Sequence, residues 1–167
     1  MRECNRKPGR KTALLSLVAL LVAAGPALPQ VGGIFAGLDG AWSGAGVIRL
    51  SDGSSAPIKC NAAYAVGGGG DHLDQSIDCA SPRQSFAFRI QLDASGGEIL
   101  GSWRELTRQV EGGVSGQGAL GKLQLVVRGQ GFTAQATVTA RAGRQTLVLA
   151  ANAGGFSSAT ISLRRGR

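Results

Sequence analysis

Aromatic residues are scarce in this chain, at 5% of 167 residues, and histidine, methionine and tyrosine each occur once. So thin a supply of rings leaves no stacking platform for nucleic acid. No apolar run reaches the roughly 20 residues that span a bilayer as a helix; the longest, "TALLSLVALLVAA" at Thr12–Ala24, has 13. Beyond it no stretch sustains a 3.6-residue apolar period, which excludes a helical bundle or an alternating βαβ fold. Cysteine is limited to Cys4, Cys60 and Cys79.

What is present begins with an address. Arg2, Arg6, Lys7, Arg10 and Lys11 precede the apolar run, and Gly25, Pro26 and small residues follow it. This is the layout of a secretory signal peptide, with cleavage expected after "GPA" at Ala27 or "IFA" at Ala36. An uncleaved anchor is the competing reading of the same run. A lipoprotein would need a cysteine just after it, and Cys4 lies before it. The expected organisation is a signal peptide and short linker over 1–36 and one domain over 37–167, placed in the periplasm or secreted. Five of the 18 Lys+Arg and one of the 10 Asp+Glu leave with the leader, so 13 against 9 remain, a net +4. That charge gives weak attraction to anionic envelope components and is too dispersed for nucleic-acid binding. Cys60 and Cys79 also remain, and an even pair in an exported chain reads as one disulfide. Two thiols alone do not make a tetrahedral metal site.

Glycine supplies 27 residues and punctuates short runs of alternating apolar and polar residues, the pattern of many strands joined by hairpins. In an antiparallel pair the numbers of opposed residues have a constant sum. A turn at Gly69–Gly70 opposes Cys60 with Cys79, Ala62 with Ile77, Tyr64 with Gln75 and Val66 with Leu73. The other face then carries Asn61, Asp74 and Asp78, as a half-buried hairpin requires. A turn at Ser95–Gly96 opposes Leu92 with Ile99 and Phe88 with Trp103. One at Gly129–Gln130 opposes Val127 with Phe132, and one at Ala142–Gly143 opposes Val138 with Leu147. A looser turn in "SDGSS" opposes Ile48 with Ile58 and Trp42 with Tyr64.

The fold expected is all-β, an antiparallel meander of about eight to ten short strands, closed or nearly closed into a small barrel because closure removes exposed edges. Gly44 and Gly46 then let the first strand coil sharply, and Trp42 caps one end of the interior. The "G-x-W" at Gly40–Trp42, repeated at Gly101–Trp103, resembles the first-strand signature of lipocalin- and avidin-type barrels. A longer resemblance runs through "GAWSGAGVIRLSDGS", "CNAAY", "VGGGG", "QSIDCAS", "GSWRE", "GQGFTA" and "SLRR". It is to a group of small exported proteins of Gram-negative bacteria with no assigned function. That resemblance implies export and an all-β fold, and no activity.

Motifs that could carry chemistry have plainer readings beside them. "GQGALG" at Gly116–Gly121 fits G-x-G-x-x-G, but a strand follows it where a dinucleotide site needs a helix. His72 neighbours Asp71, Asp74 and Asp78, which reads as a solvated turn before a metal or base site. "GGGGD" falls one position short of a calcium-binding repeat. Glu98, Glu105 and Glu111 are the mature chain's only glutamates; Glu105 is expected opposite Phe86 at the rim. Arg89, Arg104, Lys122 and Arg128 are expected on outward faces, and "LRRGR" as a basic end. No catalytic, cofactor or metal residues are assigned. The expected function is non-catalytic binding or structural work in the cell envelope. Trp42, Tyr64, Phe86, Phe88 and Trp103 would line the interior around a small apolar or amphiphilic ligand. An enzyme on an envelope substrate and an outer-membrane-associated protein are the alternatives.

Overall fold

The computed structural model describes residues 32–153 and 155–166. The basic and apolar parts of the leader, with Ala27, lie outside them. Ten antiparallel strands follow one another in an unbroken meander: β1 (Gly40–Leu50), β2 (Ser55–Gly67), β3 (His72–Ala80), β4 (Ser85–Ser95), β5 (Glu98–Glu105), β6 (Val110–Ala119), β7 (Lys122–Gly129), β8 (Phe132–Arg141), β9 (Arg144–Ala153) and β10 (Phe156–Arg165). β10 pairs with β1 and closes the barrel, so no strand keeps an unpaired edge.

The alternation in the sequence sorts each strand between the two faces. Ile58, Cys60, Ala62 and Tyr64 of β2 point inward and are buried, while Lys59, Asn61 and Ala63 between them are exposed. The outer wall carries Lys59, Asp74, Asp78, Arg89, Arg104, Glu111 and Arg128, all exposed. A lipid-facing barrel needs the reverse order, apolar outside and polar inside. The described outer wall does not have that order. Among the described residues no helix is long and apolar enough to cross a membrane.

The register arithmetic holds in two hairpins and slips in three. Cys60 opposes Cys79 and Tyr64 opposes Gln75 as expected, and Val138 opposes Leu147. In β4–β5, however, Ile90 opposes Trp103, and Phe88 opposes Glu105. The turn sits at Gly96–Gly97, where both residues take positive φ (59° and 90°), as the favoured two-residue hairpin turn demands. Ser95 would be strained in that role. In β7–β8, Gly129 opposes Phe132 and Val127 opposes Ala134, because Gly131 supplies the positive φ of 79°. In β1–β2, Trp42 opposes Ala62 and Gly46 opposes Ile58, so the loop is centred one residue earlier; there the Asp52 carboxylate accepts the Ser54 N–H at 2.8 Å. Each slip is of two in the sum, so every side chain keeps its expected face.

Closure depends on the glycines of β1. A Cβ at Gly44 would fall on the carbonyl oxygen of Ser162, and one at Gly46 on that of Thr160. Bare backbone is what lets β1 coil close against β10.

Candidate functional site

A ten-strand barrel is wider than the eight-strand size that side chains alone fill comfortably. At the end where β1 starts and β10 finishes, the residues before β1 plug it. Gly33 N–H donates to the Gly69 carbonyl and Phe35 N–H to that of Gly70, each at 2.9 Å. The Phe35 ring is fully buried, at 0% exposure, and Leu38 is buried beside it. The Trp42 indole N–H donates to the Leu38 carbonyl at 2.7 Å, so the plug is tied to the first strand as well. Trp42 meets Tyr64 edge-on, with centroids 6.0 Å apart. The Tyr64 hydroxyl donates across the interior to Gln145 Oε1 at 2.8 Å, and burial pushes its pKa up to about 12. Trp42 thus sits under a cap made by Phe35 and Leu38, which the expected boundary at residue 37 divides.

Beside the plug lies an open pocket of about 910 Å³, lined by Ile34, Leu38, Trp42, Leu123, Val138 and Ala140. Its outer rim is formed by the β6–β7 and β8–β9 hairpins, which bring Lys122, Arg141 and Arg144 to it. Arg165 lies over the Trp42 ring, its Cζ 5.1 Å from the centroid, and donates to the Gly37 carbonyl. Of the carboxylates of this end, Asp71, Asp93 and Glu98 stand at the β2–β3 and β4–β5 hairpins, and Asp39, just before β1, accepts the Val66 N–H at 3.1 Å. A groove of similar size, about 890 Å³, crosses the outer wall of β2–β6, but its charges are already paired. Arg104 meets Glu111 at 2.9 Å, and Gln91 meets Asp74 at 2.8 Å.

The five expected lining residues all point inward but form two groups. Trp42 and Tyr64 belong to the plugged end. Phe86, Phe88 and Trp103 belong to the far half, where Phe132 joins them in a chain with centroid spacings of 6.2, 6.3 and 5.6 Å. Trp103 reaches Phe132 across Gly112 and Gly129, which stand beside it in successive strands, and its N–H donates to the Arg128 carbonyl at 3.0 Å. A Cβ at Gly112 would block that indole, so the two glycines are the ring's bed.

Glu105 is 3% exposed and opposes Phe88, not Phe86 as expected. Burial alone would raise its pKa. The backbone N–H groups of Ala87 (3.1 Å), Thr107 (3.0 Å) and Arg108 (2.7 Å) outweigh that and hold it down to about 2. The carboxylate is the internal cap of the β5–β6 turn. A depressed carboxyl pKa contributes stability above the unfolded value and loses it as pH falls through the folded one. The barrel should therefore lose stability between about pH 4.5 and pH 2. Glu105→Gln should cost about 2 kcal/mol at neutral pH and flatten that acid limb in denaturant titrations. An unchanged acid limb in the variant would show that Glu105 does not cap the turn.

His72 is half-buried at the start of β3, between two carboxylates: Nδ1 lies 2.7 Å from Asp93 and Nε2 3.1 Å from Asp74. Asp93 first, then Asp74, favour its protonated form and raise its pKa. Asp78 pairs with Arg89 instead. Gly116 and Gly118 lie inside β6 and Gly121 in the turn to β7, so "GQGALG" joins two strands. Cys60 and Cys79 form the expected disulfide, with Cα atoms 4.1 Å apart. No protein-family model matches the chain, and no curated protein matches it significantly. Phe35, Gln145 and Arg165 were not legible as site residues, since each acts on a partner distant in sequence.

Proposed function

We propose that this is an exported cell-envelope barrel that binds a small apolar or amphiphilic ligand without catalysis. The observation that carries the reading is the pocket beside the plug. Its volume lies within the range of small-molecule sites, its floor is apolar and includes an indole, and its polar groups stand only at the rim. The groups best suited to acid–base work have other commitments: Glu105 caps a turn, and His72 bridges two aspartates at the rim. Export rests on the leader pattern and on the cross-strand disulfide, which fits an oxidising compartment. It also agrees with the resemblance to the small exported Gram-negative proteins.

The plug bears on processing. Cleavage after Ala36 would remove Phe35 from the barrel, whereas cleavage after Ala27 leaves the whole plug in place. Native mass spectrometry of protein purified from the cell envelope tests both points. The expected species begins at Leu28 and carries a small non-covalent ligand released on unfolding. A mature chain beginning at Gly37, or one whose tryptophan emission no amphiphile in a broad panel alters, would remove the basis for the binding reading.

A further inference from the structure

The cations around the pocket gather on one side of it with no carboxylate among its lining residues. Lys122 at the start of β7, Arg141 at the end of β8 and Arg144 at the start of β9 stand on the outward faces of their strands, as expected for Lys122, and line the pocket at its rim. No Asp or Glu lines the pocket, and no ion pair within 4.0 Å among the described residues involves these three or Arg165. On the β3–β6 wall Arg89, Arg104 and Arg108 each meet a carboxylate, whereas among the described residues Arg49, Lys59, Arg83 and Arg128 meet none. The strand registers compound the repulsion. Arg141 opposes Arg144 across the β8–β9 hairpin, and Arg144 opposes Arg164 on β10. Like charges placed directly opposite in a sheet cost stability unless something neutralises them.

The apolar side of the pocket is equally specific. Leu38, Trp42 and Leu123 make a buried floor, and Val138 and Ala140 of β8 rise from it as a half-buried wall. Leu120, at the tip of the β6–β7 turn, is 63% exposed at the entrance, where a chain leaving the pocket would cover it. Cations on one side of an apolar floor match a ligand with an anionic head and a hydrocarbon chain.

We propose that the pocket binds a single-chain amphiphile with an anionic head, such as a long-chain carboxylate or a monoalkyl phosphate. The chain lies on Leu38, Trp42 and Leu123, and Lys122, Arg141 and Arg144 hold the head. This rests on the binding reading above and adds to it the charge of the ligand and the place of its head. Bidentate guanidinium contacts suit either head, and the exposed arginines keep enough freedom to close on it.

The test uses the mature protein and defined probes below their micellar range: dodecanoate, dodecyl phosphate, neutral monododecanoylglycerol and dodecyltrimethylammonium. Calorimetric titration should give one-to-one binding of both anions, at least about tenfold tighter than the neutral lipid, with the cation weakest. That preference should shrink as salt is added. The triple variant Lys122→Gln, Arg141→Gln, Arg144→Gln changes only exposed side chains. It should erase the preference and keep the affinity for the neutral lipid, with a melting temperature equal to or above that of the unchanged protein because opposed like charges are removed. Equal affinities for anionic and neutral probes, unchanged in the variant, would overturn the proposal and leave the binding reading standing. No binding of any probe would overturn both. Binding to phosphatidylglycerol vesicles alone would assign the cations to a bilayer and overturn a single bound chain. A salt-sensitive dimer that dodecanoate fails to dissociate would assign them to the acidic hairpins of a second copy, and that too overturns it.

Discussion

Phe35→Ala should destabilise the barrel by about 4 kcal/mol, the usual cost of emptying a fully buried phenylalanine site. For a domain near 135 residues that corresponds to a fall of roughly 12 °C in melting temperature. The size follows from where the ring sits. Phe35 has 0% exposure, and its own N–H is fixed to Gly70, so the plug cannot easily collapse inward to fill the space. Gly33 and Gly70 approach so closely that a Cβ at Gly70 would lie 2.6 Å from the Gly33 nitrogen. That contact locks the segment in register with the β2–β3 turn. Ile34→Ala, at a partly buried position on the same segment, should cost less than half as much. Thermal unfolding of the two variants beside the unchanged protein decides the matter. A loss below about 1 kcal/mol for Phe35→Ala would mean that the segment rests on the barrel without supporting it.

The plug is also the part of the fold that sequence reasoning could not reach. Residues 32–39 show neither a two-residue nor a 3.6-residue period, and they follow closely on the stretch expected to be a leader, so nothing marked Phe35 as core. The strands were legible because alternation survives errors of register. Gly96–Gly97 moved the β4–β5 turn by one position, yet Leu92, Ile99 and Trp103 stayed inside. The site was less legible for a topological reason. Lys122, Arg141 and Arg144 meet through the β7–β8 and β8–β9 pairings, but only closure of β10 on β1 brings Trp42 and the plug to the same pocket. The role of Glu105 was hidden differently, because its partners are backbone N–H groups that carry no residue signature. His72 shows the same limit: Asp74 was visible as its neighbour on β3, while Asp93 arrives from β4.

Removing the disulfide should cost about 3 kcal/mol, near 10 °C in melting temperature. Cys60 and Cys79 are separated by 19 positions, so the bond closes one hairpin and removes the open conformations of that loop from the unfolded chain. The hairpin would still be specified without it. Ala62 faces Ile77, Tyr64 faces Gln75 and Val66 faces Leu73, and three glycines at 68–70 with positive φ hold the turn. The double variant Cys60→Ala, Cys79→Ala should therefore fold to the same barrel with the same ligand preference, only less stably. The single variants should behave worse than the double one, since each leaves a free inward-facing thiol open to oxidation or exchange. Alkylation of the unreduced protein should label neither cysteine, and reduction should be needed before either reacts. Free reaction of both thiols in the folded state, or a melting temperature indifferent to the double substitution, would mean that β2 and β3 do not pair in this register. The barrel would then lose one of the two hairpin registers on which sequence and structure agree.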